Sequence, residues 1–250
     1  MKVGFLITGR MKSTRLPKKL TLEIFEREML ALMIDRLKQA DIIDEIIIAT
    51  STNPQDDILE EIAKREEIGF FRGSEDDVVE RLYGASEKYG LDYMINITAD
   101  CPLVGYDLLP SLIETYKTTD ADLITCLNLP HGAFFYGIKP AAMKKVMSIK
   151  DAIDTEVWGG YFADTGLFNC VELEVPQELT GKGYRWTLDY QEDFDFFKTL
   201  YHAYGRSIVT ATTAEIVQFL DEAPEIVAIN KDAHEKYQMR WESQKNVKLK

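Results

Sequence analysis

The chain has 250 residues, 46% of them hydrophobic and 28% charged, with a formal net charge of -13. That length suits one large domain or two small ones, and the composition is ordinary for a soluble globular protein. With no surplus of Lys and Arg to neutralise phosphates, a general nucleic-acid binder is excluded, though one local anion site is not.

The three cysteines, Cys101, Cys126 and Cys170, are odd in number and widely spaced. They suit a reducing cytoplasm better than a disulfide framework or a zinc site. No apolar run approaches a membrane span and no cleavable signal pattern is visible. A cytoplasmic protein without a membrane segment is expected.

In chain order, VGFLI (Val3–Ile7) is a short apolar run that reads as a buried strand. A loop precedes a helical pattern over Met29–Ala40, and EIIIAT (Glu45–Thr50) is the next strand. Pro54–Glu67 starts with Pro and carries acids in its first turn, which suits a helix N-terminus. Gly69–Phe71 is a short strand, Asp76–Gly90 a helix closed by Gly90, and Asp92–Ile97 a strand. Asp107–Lys117 reads as a helix and Ala121–Cys126 as a strand.

The segment from Asn128 to Thr165 is rich in Gly and aromatics and breaks the rhythm. It reads as a small irregular insertion at about 128–165 that serves as a lid, an acceptor wall or a dimer contact. Val171–Val175 and Tyr184–Leu188 read as returning strands, and Gln191–Gly205 as a strong helix. The polar stretch from Asn230 onward reads as a peripheral helix with a frayed tail.

Strands alternating with helices imply βαβ units, hence an α/β domain of Rossmann-like type spanning 1–250 with a mostly parallel central sheet. In such sheets ligands sit beyond the C-terminal strand ends. The loop after the first strand, RMKSTRLPKK (Arg10–Lys19), carries Arg10, Lys12, Arg15, Lys18 and Lys19 within an acidic chain. Gly9 permits close backbone approach, Thr8, Ser13 and Thr14 offer hydroxyls, and the cations suit phosphate oxygens. The loop is neither a Walker A nor a dinucleotide fingerprint.

Asp100 follows the strand ending at Ile97, and Asp189 follows Tyr184–Leu188. Each taken alone also suits a helix N-cap, and Asp193 fits local work on its helix. Together with the basic loop, two strand-end carboxylates suit Mg²⁺ or Mn²⁺ bound with a nucleoside triphosphate. Cys101 reads as a buried inert thiol, His131 as a surface or turn residue within reach of an acceptor, and His202 and His234 as peripheral. The aromatics Phe134, Phe135, Tyr136, Trp158 and Tyr161 read as packing ahead of sugar platforms.

The segment GRMKSTRLPKKL, with Arg10, Ser13, Thr14, Arg15, Leu16, Pro17 and Lys19, resembles the N-terminal signature of the CMP-sugar synthetases. RGSEDDVVERL and ITADCPLV resemble the spore-coat polysaccharide cytidylyltransferase-like branch, and LDYQEDF resembles an Asp-Thr-Pro-Glu-Asp segment with Tyr190 and Gln191 replacing Thr-Pro. Gly9 stands where the family usually has Ala, and Lys18 where it often has Gly.

The resemblance implies a Rossmann-like nucleotidyltransferase that uses CTP and Mg²⁺ and is a homodimer. It implies that Arg10, Arg15 and Lys19 act on phosphates, and that Thr8, Gly9 and Ser13 line the nucleotide. Arg72 and Ser74 would contact base or ribose, and Asp100 and Asp189 would hold the metal. The acceptor implied is a small acidic or phosphorylated molecule.

Two other classes stay open. A sugar-nucleotide-dependent glycosyltransferase usually needs an Asp-x-Asp at a strand end, whereas Asp120–Asp122 and Asp193–Asp195 are poorly placed for it. A non-catalytic nucleotide-binding protein is the other.

Overall fold

The computed structural model describes residues 1–233 together with Lys236 and Leu249. The C-terminal helix expected from Asn230 onward falls largely outside the described residues, as does His234.

The first strand, β1 (Val3–Thr8), is buried along its whole length. After it come the small hairpin β2 (Glu23–Ile24) and β3 (Arg27–Glu28), helix α1 (Met29–Leu37) and β4 (Glu45–Ser51). Helix α2 (Asp57–Arg65), β5 (Gly69–Gly73), α3 (Val78–Tyr89), β6 (Tyr93–Thr98), α4 (Leu109–Thr119) and β7 (Leu123–Thr125) continue the alternation. Then come β8 (Tyr136–Ile138), α5 (Pro140–Ile149), α6 (Gly160–Ala163), β9 (Cys170–Glu172), α7 (Gln191–Tyr204), α8 (Thr213–Asp221) and α9 (Pro224–Val227).

The strands form one sheet in the order β5-β4-β1-β6-β8-β7-β9. β5, β4, β1 and β6 pair in parallel, as do β7 and β9, while β8 runs antiparallel between β6 and β7. Register alternation splits the core by sheet face. Phe5, Ile7, Ile48 and Ile95 pack with residues of α1, α2, α4 and α7 on one face. Leu6, Ile47, Ala49 and Met94 pack with residues of α3 and α5 on the other. Full burial of a Phe, Leu or Ile contributes about 1.5–3 kcal/mol before ordering costs, and Phe5, Leu6 and Ile7 are all fully buried.

Local signals set the ends. Asp77 caps α3 by accepting the backbone N–H of Glu80, and Gly90 ends it in the left-handed region at φ 60°.

Three expectations change. Tyr184–Leu188 is not a strand: only Arg185 forms a single parallel bridge, with His131. The N–H groups of its Trp186 and Leu188 go instead to the carbonyls of His131 and Asp100. The other returning strand, expected at Val171–Val175, runs only from Cys170 to Glu172. The segment at 128–165 is also less irregular than its composition implies, since β8 enters the central sheet and α5 covers one face.

Candidate active site

The C-terminal ends of β1, β6 and β7 open into a cleft of about 720 Å³. Thr8, Gly9, Arg10, Ser13, Arg15 and Lys19 line it from the opening loop. Asp100, Asp189, His131, Phe134, Tyr136 and Trp158 line it from elsewhere.

The opening loop can hug the sheet because residue 9 is Gly. A Cβ there would stand 2.7 Å from the Ala99 Cβ and 3.3 Å from Leu20 Cδ1. The departure from Ala noted in the sequence therefore has a local cause in the neighbouring strand end. Lys18 turns the chain at φ 56°, a conformation for which Gly is the natural residue. The turn delivers Lys19 into the cleft.

There the cations of the loop meet Asp100, just past β6, and Asp189, just before α7. Lys19 Nζ donates to Asp100 Oδ2 at 2.5 Å and to Asp189 Oδ1 at 3.1 Å. Arg15 Nη2 donates to the same Asp189 Oδ1 at 2.5 Å. Thr98 Oγ1 donates to Asp100 Oδ1 at 2.5 Å. Burial alone would pull the Lys19 ammonium down, but the charges of Asp100 and Asp189 outweigh it and raise its pKa. Burial likewise opposes ionisation of Asp189, yet Lys19, Arg15 and Arg185 hold it at about 2. At neutral pH both groups are charged.

Asp100 and Asp189 offer only hard oxygen donors, which fit Mg²⁺ or Mn²⁺. Both oxygens reach one ammonium, so the two carboxylates converge on a single point. Among the described residues no group of three or more His, Cys, Asp or Glu is arranged to hold a metal. A cation there would complete its shell with phosphate and water oxygens, as Mg²⁺ does beside one or two carboxylates.

The remaining expected residues fall in several places. Arg10 lies in the cleft, with Nη1 on the Glu75 carbonyl at 2.8 Å and Nη2 on Glu156 at 3.2 Å, so it spans from the α3 entry to the segment after α5. Thr8 and Ser13 line the cleft, although the Thr8 hydroxyl already accepts from Asn96 at 3.3 Å. Arg72 and Ser74 stand outside the cleft lining. Arg72 sits on β5 and donates to the carbonyls of Ser51 and Asn53 and to Asp57. The Ser74 hydroxyl accepts the Asp77 N–H. Arg72 thus ties β5 to the end of β4 and the start of α2, while Ser74 supports the turn before α3 and its carbonyl accepts from the cleft residue Arg81 at 2.6 Å.

The Cys101 thiol is buried and pushed well up by that burial, reinforced by Asp100, so it is no nucleophile. His131 is on the cleft wall with its ring 5.4 Å from that of Phe134. His202 packs on Phe25. Phe135, Trp158 and Tyr161 are buried as packing, while Tyr136 and Phe134 are half-buried at the cleft. Asp120 and Asp122 precede β7, at its far end from the cleft residue Thr125, and Asp193 is fully buried.

Sequence reasoning missed Arg185 and the position of Tyr190. The Tyr190 ring lies 5.2 Å from the Arg15 guanidinium carbon and 5.8 Å from that of Arg185, within cation–π range of both.

The model of the cytidylyltransferase family matches residues 5–171, from β1 through β9. The chain belongs to the cytidylyltransferase family. It is a CTP-dependent nucleotidyltransferase on a Rossmann-like fold.

The chain is 30% identical to the uncharacterized protein MJ1063 of Methanocaldococcus jannaschii, over 94% of this chain and 97% of that one. It is 29% identical to the spore coat polysaccharide biosynthesis protein SpsF of Bacillus subtilis, over 88% of this chain and 95% of that one. A solved cytidylyltransferase from Leptospira borgpetersenii serovar Hardjo-bovis superposes with a TM-score of 0.82 at 28% identity, covering 91% of this chain and 97% of that one. Among the described residues no helix of this cytidylyltransferase is long and apolar enough to cross a membrane.

Proposed function

We propose that this cytidylyltransferase moves CMP from CTP to a small acidic or phosphorylated sugar-type acceptor for a surface polysaccharide. The observation that carries the reading is the convergence of Arg15 and Lys19 on Asp100 and Asp189 at the floor of the cleft. Polysaccharide synthesis is supported by the similarity to SpsF, a spore coat polysaccharide biosynthesis protein.

In the proposed reaction an acceptor oxygen attacks the α-phosphorus of CTP in line, a phosphate oxygen as the anion and a hydroxyl with its proton passing to water. The bond from that phosphorus to the bridging oxygen breaks, and pyrophosphate leaves with the electron pair. Lys19 and Arg15 stabilise charge on the α-phosphoryl oxygens and the leaving pyrophosphate, and Arg10 engages phosphate from the α3 side. Gly9 brings backbone close to the phosphates, with Thr8 and Ser13 beside it. Asp100 and Asp189 hold Mg²⁺ (Mn²⁺ as a substitute), which neutralises phosphate charge when bound. Arg72 and Ser74 enter only as supports, Arg72 of the connection from β4 to α2 and Ser74 of the turn before α3. Positioning and electrostatics carry most of the catalysis in such a site.

The segment at 151–165 forms the acceptor-side wall. Thr155 ties it to the start of α3 through Asp77 at 2.9 Å, and Glu156 reaches Arg10. Arg10 and Arg81, both in the cleft lining, are the cations offered to an acidic acceptor. The same reading includes a lid role for this wall, a single domain, a cytoplasmic setting consistent with free thiols at Cys101, Cys126 and Cys170, and a homodimer.

The test is pyrophosphate release from CTP and Mg²⁺ against a panel of sugar acids and sugar phosphates. Release with one acceptor class, lost in Asp100→Asn, supports the proposal. Release of a nucleoside diphosphate from a sugar nucleotide, with no pyrophosphate from CTP, would overturn it.

A further inference from the structure

Behind Asp189 lies a second layer of charge. Arg185 is about 2% exposed and Asp193 fully buried. Arg185 Nη2 donates to Asp189 Oδ2 at 3.0 Å and to Asp193 Oδ2 at 3.0 Å, while its Nε donates to Asp193 Oδ1 at 2.8 Å. Asp193 Oδ2 also accepts the backbone N–H groups of Asp189 at 2.9 Å and Tyr190 at 3.0 Å. Asn230 donates to both Asp193 Oδ1 and the Arg185 carbonyl, each at 3.0 Å.

The two oxygens of Asp189 are therefore treated differently. Oδ2 is held from behind by Arg185, and Oδ1 is turned into the cleft toward Lys19 and Arg15. Asp193 grips both the guanidinium and the backbone of the residue it positions. A lysine could not reproduce this, because only the planar guanidinium fork reaches both carboxylates in fixed geometry.

We infer that Arg185 and Asp193 are positioning residues that lock Asp189 so that only Oδ1 is offered to the metal. The inference rests on the proposed role of Asp189 as a metal ligand. Groups that orient a ligating side chain typically influence metal affinity by about 10–100-fold.

The experiment uses the full chain and Mn²⁺ as probe. Mn²⁺ binding is followed by electron paramagnetic resonance with CTP present, and Mg²⁺ half-saturation of pyrophosphate release is measured alongside. CTP binding without metal and the melting temperature are measured for every variant. For Arg185→Lys we expect metal affinity to fall by about tenfold or more, with kcat largely recovered at saturating Mg²⁺ and metal-free CTP binding little changed. A melting-temperature drop with unaltered metal affinity would make Arg185 merely structural and overturn the inference.

If Arg185→Lys fails to fold, Asn230→Ala reports instead, since it loosens Asp193 from outside the cleft. It should weaken Mn²⁺ binding in the same direction by a smaller factor, and unchanged binding again overturns the inference. Asp189→Asn separates the two levels. If it leaves Mn²⁺ binding intact, Asp189 is no ligand and the underlying reading fails. If it abolishes binding while Arg185→Lys and Asn230→Ala do not alter it, only the positioning role fails.

Discussion

The backbone N–H of Leu188 donates to the carbonyl oxygen of Asp100 at 2.8 Å. One main-chain bond thus joins the loops that carry Asp100 and Asp189. The neighbouring bond from Trp186 N–H to the His131 carbonyl, at 2.6 Å, ties the same segment to the cleft wall. The segment spends its backbone groups on holding two loops together, which is why it does not continue as a strand.

The two acids should behave differently when neutralised. Asp189→Asn removes the counter-charge shared by Arg15, Lys19 and Arg185, with only 4% of its side chain exposed. Breaking such a buried cluster costs about 3 kcal/mol or more. Asp100 is more exposed and loses one ammonium partner, which keeps Asp189. Both variants should lose turnover, but urea unfolding should show the larger stability loss for Asp189→Asn.

The same carboxylate makes stability pH-dependent. Its folded pKa of about 2 lies below its ordinary 3.8, so the folded state is stabilised above 3.8 and loses that stability as pH falls through 2. The contribution is on the order of 2 kcal/mol. Lys19 is shifted upward, so its contribution is complete below its ordinary 10.5 and is lost only as pH rises through the raised value. Unfolding free energy measured from pH 6 down to 2 should fall less steeply in Asp189→Asn than in the wild type.

Gly9 should tolerate no side chain while Ala99 is present. Gly9→Ala forces the new methyl against the Ala99 Cβ and Leu20 and should cost about 1–3 kcal/mol, with turnover reduced because the loop is displaced. Adding Ala99→Gly should restore much of both. Melting temperature and kcat of the single and double variants check this.

Lys18 offers the opposite outcome. Its left-handed backbone, at φ 56°, disfavours a side chain by about 1–2 kcal/mol, partly offset by the greater freedom of Gly in the unfolded chain. Lys18→Gly should raise the melting temperature by about 2–4 °C for a gain near 1 kcal/mol. CTP turnover should remain near wild type, since Lys18 is exposed outside the cleft lining.

What the sequence reveals follows from how local each signal is. β1, β4 and β6 are apolar runs, and α3 carries its Asp77 cap and Gly90 stop in the sequence itself. The basic loop and Asp100 are legible because they follow β1 and β6, and Asp189 because the segment before it has the composition of a strand. β8 is hidden, since Tyr136-Gly137-Ile138 is short and becomes a strand only through pairing with distant β6 and β7. YRWTL has the composition of a strand, yet its partners are loops. Arg185 carries no sequence signal, because its role appears only when α7 brings Asp193 back beneath Asp189. Arg72 opens the turn that the resemblance places at the nucleoside, but its side chain goes to Asp57 and to the carbonyls of Ser51 and Asn53.

The central claim is that Lys19, held between Asp100 and Asp189, is part of a CTP-Mg²⁺ site. Thermal shift of wild type and Lys19→Ala with CTP, UTP, ATP and GTP, each with and without Mg²⁺, tests it most directly. A ligand that binds the native state raises its melting temperature by mass action. The account predicts a Mg²⁺-dependent rise with CTP in the wild type that is largely lost in Lys19→Ala. An equal rise in both proteins would contradict it.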